Sequence, residues 1–233
     1  MTRTRWGALC WVLCAVTIVP QILAALQWPQ TYSWSANLIS DLGVTACGTY
    51  NVGTDVERAI CSPWHLAANA STVANGLLTG AGAVLLFSVW PKLRQGQWAM
   101  ALLVVGGVLV ALVGLLPWDL YPAAHEVVAL VQPFFQWAGM ILLLLAVRGS
   151  ARFSGIAVVS LAGVAVSVAG FTLFLSGVAG GPTLGLGLGA AERLAFDTLT
   201  LWSLAAGLLL LRLPAAGTTS TADAPGQLTS RRR

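Results

Sequence analysis

The chain is predicted to be all-α: a polytopic integral membrane bundle of six transmembrane helices with both termini in the cytoplasm. Three observations predict it. Of its 233 residues, 57% are hydrophobic and only 9% charged, whereas a soluble domain carries about 25% charged residues; too little polar surface is present to cover a globule in water. Six apolar runs take up most of the chain, each roughly the 20 residues a helix needs to cross the hydrocarbon. Finally, the charges alternate by side. One set of polar segments holds Arg3, Arg5, Lys92, Arg94, Arg148, Arg152, Arg212 and Arg231 to Arg233, with Asp223 its only acid; the other holds Asp41, Asp55, Glu57, Asp119, Glu126, Glu192 and Asp197, with Arg58 and Arg193 its only bases. That is the positive-inside pattern of a plasma-membrane protein.

The spans follow in order. The first covers about residues 6–26; Arg3 and Arg5 before it resemble a signal peptide, but the run is long for one and is read as retained. Pro20 is expected to kink its outer end. A long outer loop leads to span two, about 64–90, and a basic turn to span three, about 98–116. Span four is about 125–147, span five about 154–176 and span six about 192–211. The tail, 214–233, has too few apolar residues to fold and is expected to be a disordered cytoplasmic segment. Lipid offers the backbone no hydrogen-bond partner, so the spans are helices; barrel strands would be about 10 residues of alternating polarity. Trp28, Trp34, Trp64, Trp118 and Tyr121 on one side, and Trp6, Trp90 and Trp98 on the other, are expected to form aromatic belts. In span five, Gly163, Ser167 and Gly170 make a small-residue face for close helix packing.

The formal charge of +4 is carried by short loops and tails near lipid head groups, which argues against nucleic acid as a partner. Cys47 and Cys61 share the outer loop, an oxidising setting, and are expected to form a disulfide. Cys10 and Cys14 lie within span one and are expected to be free thiols.

Five polar patterns gather at the outer ends of the helices. Ile39 to Gly43 reads ISDLG; Trp34, Leu38 and Leu42 are spaced for a short interfacial helix. Ser62 and Pro63 are expected to start span two as its cap and first position, with His65, Asn69 and Thr72 on one face. Asp119 ends span three in LLPWD. His125 and Glu126 open span four, and Gln132 and Gln136 continue the His125 face. Glu192, Arg193 and Asp197 open span six, where Arg193 and Asp197 are placed to pair. Polar groups within a bilayer normally face a bundle interior. The expectation is a polar pocket open to the outer leaflet and fading toward the cytoplasmic half. Each group also has a plainer reading. A histidine at a helix end can bond a loop carbonyl, amides can join helices, Arg193 can form a structural ion pair, and Asp55, Glu57 and Arg58 read as solvated loop charges. The glycine-rich segment between spans five and six reads as flexible or as a lid over the pocket.

ISDLG at 39–43, CSPWHLAANAS at 61–71, LLPWD followed by His125, and GAAERL at 189–194 together resemble a family of bacterial and archaeal six-helix membrane proteins called domain of unknown function 998. The resemblance runs from span one through span six. It implies the fold and the placing of the shared polar residues, and no activity.

The leading functional reading is a protein that binds or moves a lipid or small molecule, with Asn69, Asp119, Gln132, Gln136, Glu192, Arg193 and Asp197 as binding residues. The alternative is a hydrolase-like enzyme acting on a lipid at the outer leaflet, with His65, His125, Asp41 and Glu126 as catalytic residues. No cofactor is required by the sequence; zinc, if used, would draw on His65, His125 and Asp41. A second alternative is an accessory membrane protein that docks a partner through its outer loops. The oligomeric state is not legible.

Overall fold

The computed structural model describes residues 2–54 and 56–213; the expected tail and Asp55 lie outside them. Six long helical rods dominate. The first is α1 (Arg3–Leu13) and α2 (Ile18–Leu26), joined by a 3-10 turn at Cys14–Thr17. Proline has no N–H, and its ring crowds the carbonyl four residues back. For Pro20 that carbonyl is Val16, so the helix tightens one turn before the proline, and Thr17 Oγ1 closes the turn on the Cys14 carbonyl at 2.6 Å. The other rods are α3 (His65–Leu85), α4 (Leu93–Leu115), α5 (Pro122–Val147), α6 (Ser154–Val178) and α7 (Leu188–Leu211).

The rods form a closed ring. α1 packs on α3, α3 on α4, α4 on α5, α5 on α6, α6 on α7, and α7 returns to α1. Among the described residues, five helices are long and apolar enough to cross a membrane: 3–26, 93–115, 122–147, 151–178 and 188–211. The ring wears its large aliphatic side chains outside. Val16, Val19, Leu77, Val108, Val158 and Leu161 are all exposed, an apolar patch that water would not tolerate and that hydrocarbon solvates. Small and aromatic residues fill the inside. Trp11 and Trp202 meet at 5.2 Å between centroids. Ser167, from the small-residue face of α6, donates to the Ala195 carbonyl of α7 at 2.6 Å; that face is used within the chain. The middle of the α5–α6 seam is closed by Phe134, Trp137 and Phe171, edge to face.

Residues 27–63 fold over one end of the ring, called here the capped end. They contain a hairpin that the sequence reading missed: β1 (Gly48–Tyr50) pairs antiparallel with β2 (Arg58–Ile60). The Cys47–Cys61 disulfide joins the residues that flank this ladder. The expected interfacial helix is absent. A single turn closes Asn37 N–H on the Ser33 carbonyl at 2.8 Å, Ser40–Gly43 coils as a 3-10 turn, and Leu38 and Leu42 are buried in the protein. Trp28 and Trp90, expected in the aromatic belts, are also buried. Span two starts at His65, not on a Ser62 cap. The Ser62 hydroxyl instead donates to the Leu42 carbonyl at 2.7 Å, which ties α3 to the cap. The glycine-rich segment docks too. Gly187 has a φ of 81°, a left-handed conformation that glycine adopts without strain, and Gly189 N–H donates to the Ser35 carbonyl at 2.8 Å.

Candidate functional site

A cavity of about 120 Å³ lies inside the ring below the cap. α3 contributes Asn69, Thr72, Asn75 and Thr79; α5 contributes His125, Gln132 and Gln136; α7 contributes Glu192, Asp197, Thr200 and Ser203; Gln21 comes from α2. The polar residues do not fade early. Thr79 lies about 20 Å along α3 from His65 at 1.5 Å per residue, and it still lines the cavity. A second cavity, about 280 Å³, adjoins the first and shares Ser40, Trp118, His125, Ala129, Glu192 and Phe196 with it. Its other walls include Leu130 of α5, with Phe174, Leu175 and Val178 of α6. With Leu38, Asn51, Val56 and Arg58 of the cap also in its wall, it lies between the cap and the α5–α6 seam, on the capped side of the aromatic closure.

The local chemistry explains the shape. Pro133 in the middle of α5 has no N–H to give the Ala129 carbonyl, and Ala129 lines both cavities. On α3, Asn75 Nδ2 donates to Thr17 Oγ1 at 2.8 Å and to Thr200 Oγ1 at 3.1 Å. One amide thus joins three rods below the cavity mouth. Asn69 Nδ2 donates to the Gly43 carbonyl at 2.8 Å and fixes the ISDLG turn over the cavity.

The residues singled out for binding are divided by the structure. Asn69, Gln132, Gln136, Glu192 and Asp197 line the first cavity. Gln132 is buried, and its Oε1 has no hydrogen-bond partner. Glu192 is buried and accepts the Ile39 N–H. Asp197 has no hydrogen bond or ion pair among the described residues; Arg193, expected as its partner, turns to the cap. Arg193 donates to the Asn37 carbonyl at 2.8 Å and to the Tyr32 hydroxyl, and its guanidinium stacks over Tyr32 and Trp34. Burial pushes the Tyr32 phenol above its ordinary pKa, with Arg193 opposing the shift. Asp119 is a cap anchor: its Oδ2 accepts from Thr45 N–H (3.0 Å) and Thr45 Oγ1 (2.6 Å).

Of the four residues put forward for catalysis, His125 and Glu126 reach the cavities and His65 and Asp41 do not. His125 is held by its Nδ1–H on the Leu116 carbonyl at 2.7 Å. Glu126 accepts from Trp118 Nε1 at 3.2 Å. His65 turns back to its own helix start, donating from Nδ1 to the Ser62 carbonyl at 3.0 Å. Asp41 is fully buried. Arg58, read from sequence as a solvated loop charge, clamps it, donating from Nε to Oδ1 (3.0 Å) and Oδ2 (2.8 Å) and from Nη2 to Oδ1 (2.7 Å). Among the described residues no three His, Cys, Asp or Glu side chains gather in a group able to hold a metal ion.

Sequence reading missed Gln21, Asn75, Thr79, Thr200 and Ser203. For α3 a signal was present: the 65, 69, 72 stripe, continued in helical steps, reaches 75 and 79.

One family model matches residues 10–209, that of a protein of unknown function (DUF998). No curated protein and no solved structure matches the chain.

Proposed function

We propose a ligand-binding role for this chain, which belongs to the DUF998 family of proteins of unknown function. In this reading it is a multi-pass plasma-membrane protein of six spans with both ends in the cytoplasm. Its capped end faces outward, and the intramembrane cavity binds or moves a lipid or small molecule. The observation that carries the reading is the pairing of a polar cavity with an apolar seam. Buried polar groups inside a bilayer are costly and are retained where they meet a polar partner. Here they line a space bordered on the α5–α6 side by Leu130, Leu175 and Val178, a route by which an acyl chain can lie between helices while its head enters.

The test is native mass spectrometry of the purified chain after washing in a mild detergent. A lipid or added amphiphile retained at one per chain is expected. Ala129→Phe, which puts a ring where both cavities meet, is expected to remove it without loss of the folded protein. Equal retention by the variant refutes the reading. Reporter fusions at residues 148–153 and at both ends check the orientation, with a cytoplasmic signal expected from all three.

A further inference from the structure

We propose that the cavity selects an amphiphile whose head is a single ammonium group without phosphate. This rests on the ligand-binding reading and goes on to name the ligand's chemistry. The argument is an inventory of what the cavity leaves unsatisfied. Glu192 and Asp197 both line it, and among the described residues no lysine or arginine lines the same cavity. Of the two nearby bases, Arg58, at the edge of the adjoining cavity, is clamped on Asp41, and Arg193 turns its N–H groups to Tyr32 and the carbonyls of the cap while its charge acts on Glu192 and Asp197 from outside the cavity wall. Among the described residues, a phosphate would find no cation in the cavity wall.

The neutral groups lean the same way. The N–H groups of Asn75 and the hydroxyls of Thr72 and Ser203 are given to protein acceptors, and Asn69 gives one of its two N–H groups to the Gly43 carbonyl, which leaves the amide oxygens of both asparagines as acceptors. Gln132 Oε1 is buried and unpartnered. Gln21 and Gln136 add amide groups able to give or accept. Asp197 supplies a carboxylate with no hydrogen-bond partner among the described residues. An ammonium brings donors and no acceptor, so it answers the unpartnered acceptors and the Asp197 carboxylate together. Phe196 lines both cavities and is an aromatic residue of the kind that attracts such cations. The seam between α5 and α6 accommodates the apolar chain.

The experiment is competition binding on the full chain in neutral maltoside micelles at pH 7. The labelled probe is dodecylamine, and the competitors are dodecanol, dodecanoate and butylamine. Dodecylamine is expected to compete at least tenfold better than each of the others. Asp197→Asn changes one atom and breaks no hydrogen bond; it is expected to weaken dodecylamine at least tenfold while the melting temperature holds. Gln132→Leu is expected to weaken it less, by a few fold. If dodecanol competes equally and Asp197→Asn changes nothing, the ammonium assignment fails while ligand binding stands. If dodecanoate competes best, the sign of the charge argument is wrong. If butylamine equals dodecylamine, the ligand is a free amine and not a lipid. If no probe binds, the ammonium assignment fails, and the ligand-binding reading falls with it only where native mass spectrometry also finds no lipid retained.

Discussion

Replacing Arg58 by leucine should be among the most damaging single changes in the cap. Asp41 has a side chain 1% exposed, and Arg58 is 14% exposed. The variant removes three short N–H contacts to the carboxylate, the 3.0 Å bond from Nη1 to the Val56 carbonyl, and the stacking of the guanidinium on Trp118. Only the Leu38 N–H, at 2.9 Å, is left to satisfy Asp41. Orphaning one partner of a buried ion pair costs about 3–5 kcal/mol. The cap lies at the end of the bundle and Arg58 keeps some solvent contact, which places the loss near the lower figure, ~3 kcal/mol. Equilibrium denaturation in mixed micelles, followed by tryptophan fluorescence, measures it. Arg58→Met with Asp41→Leu removes both charges, and replacing a buried pair by apolar side chains is often near neutral, so the double variant should regain most of the loss. Should Arg58→Leu cost under about 1 kcal/mol, the pair behaves as an exposed salt bridge. The clamp of Arg58 on Asp41 would then add little to the stability of the cap.

Two further outcomes follow from the same geometry. The disulfide spans a sequence separation of 14, a loop for which chain entropy predicts about 3 kcal/mol. Cys47→Ser with Cys61→Ser, and reduction of the unaltered chain, should therefore lower the denaturation midpoint by the same amount, and an unchanged midpoint refutes it. Gly76→Ala would place a Cβ 2.3 Å from the Gly107 carbonyl oxygen and 2.4 Å from the Ala111 nitrogen, both backbone atoms that cannot swing aside. Overpacking of this kind costs about 1–3 kcal/mol. Gly80→Ala, whose nearest atom would be 3.9 Å away, should be neutral or slightly stabilising, and equal behaviour of the two variants in thermal denaturation overturns the close α3–α4 crossing.

The helical rods were legible because lipid leaves the backbone no alternative: a long apolar run is a helix, and its length sets its extent. The Cys47–Cys61 bond was legible from two cysteines sharing one loop. The hairpin they flank was not, since three-residue strands such as Gly48–Tyr50 are too short to show an alternating pattern. Nor was the Asp41–Arg58 clamp. The two residues are 17 apart across a reversal of the chain that only the hairpin creates; taken alone, Arg58 looks like a loop charge and Asp41 like a carboxylate of the site. The site divided along the same line. Gln132 and Gln136 were found because helical spacing carries one face inward. Arg193 was misread because two competing partners were both plausible: Asp197, four residues on in its own helix, and the carbonyls of a distant loop. Nothing in a helix's own sequence reveals what the cap will offer it.

The proposal of six spans turns on α3. Composition alone does not place α3 among the membrane-crossing helices, and five spans would leave the chain's ends on opposite sides and break the alternation of its charges. Yet α3 has 21 residues, long enough to cross, and it packs along both α1 and α4. A rod wedged between two apolar neighbours shares their depth. Its outward residues, Leu66, Leu77 and Val84, are apolar and exposed like theirs. What lowers its hydropathy is the inward face: Asn69 and Thr72 line the cavity, Asn75 ties the rod to Thr17 and Thr200, and Thr79 lies beside Cys14. The residues that make α3 a poor span by composition are thus the ones that build the cavity. A polar face of this kind is stable within a bilayer only when neighbouring helices enclose it. Closure of the ring and the weakness of α3 as a lone helix are therefore two consequences of one arrangement.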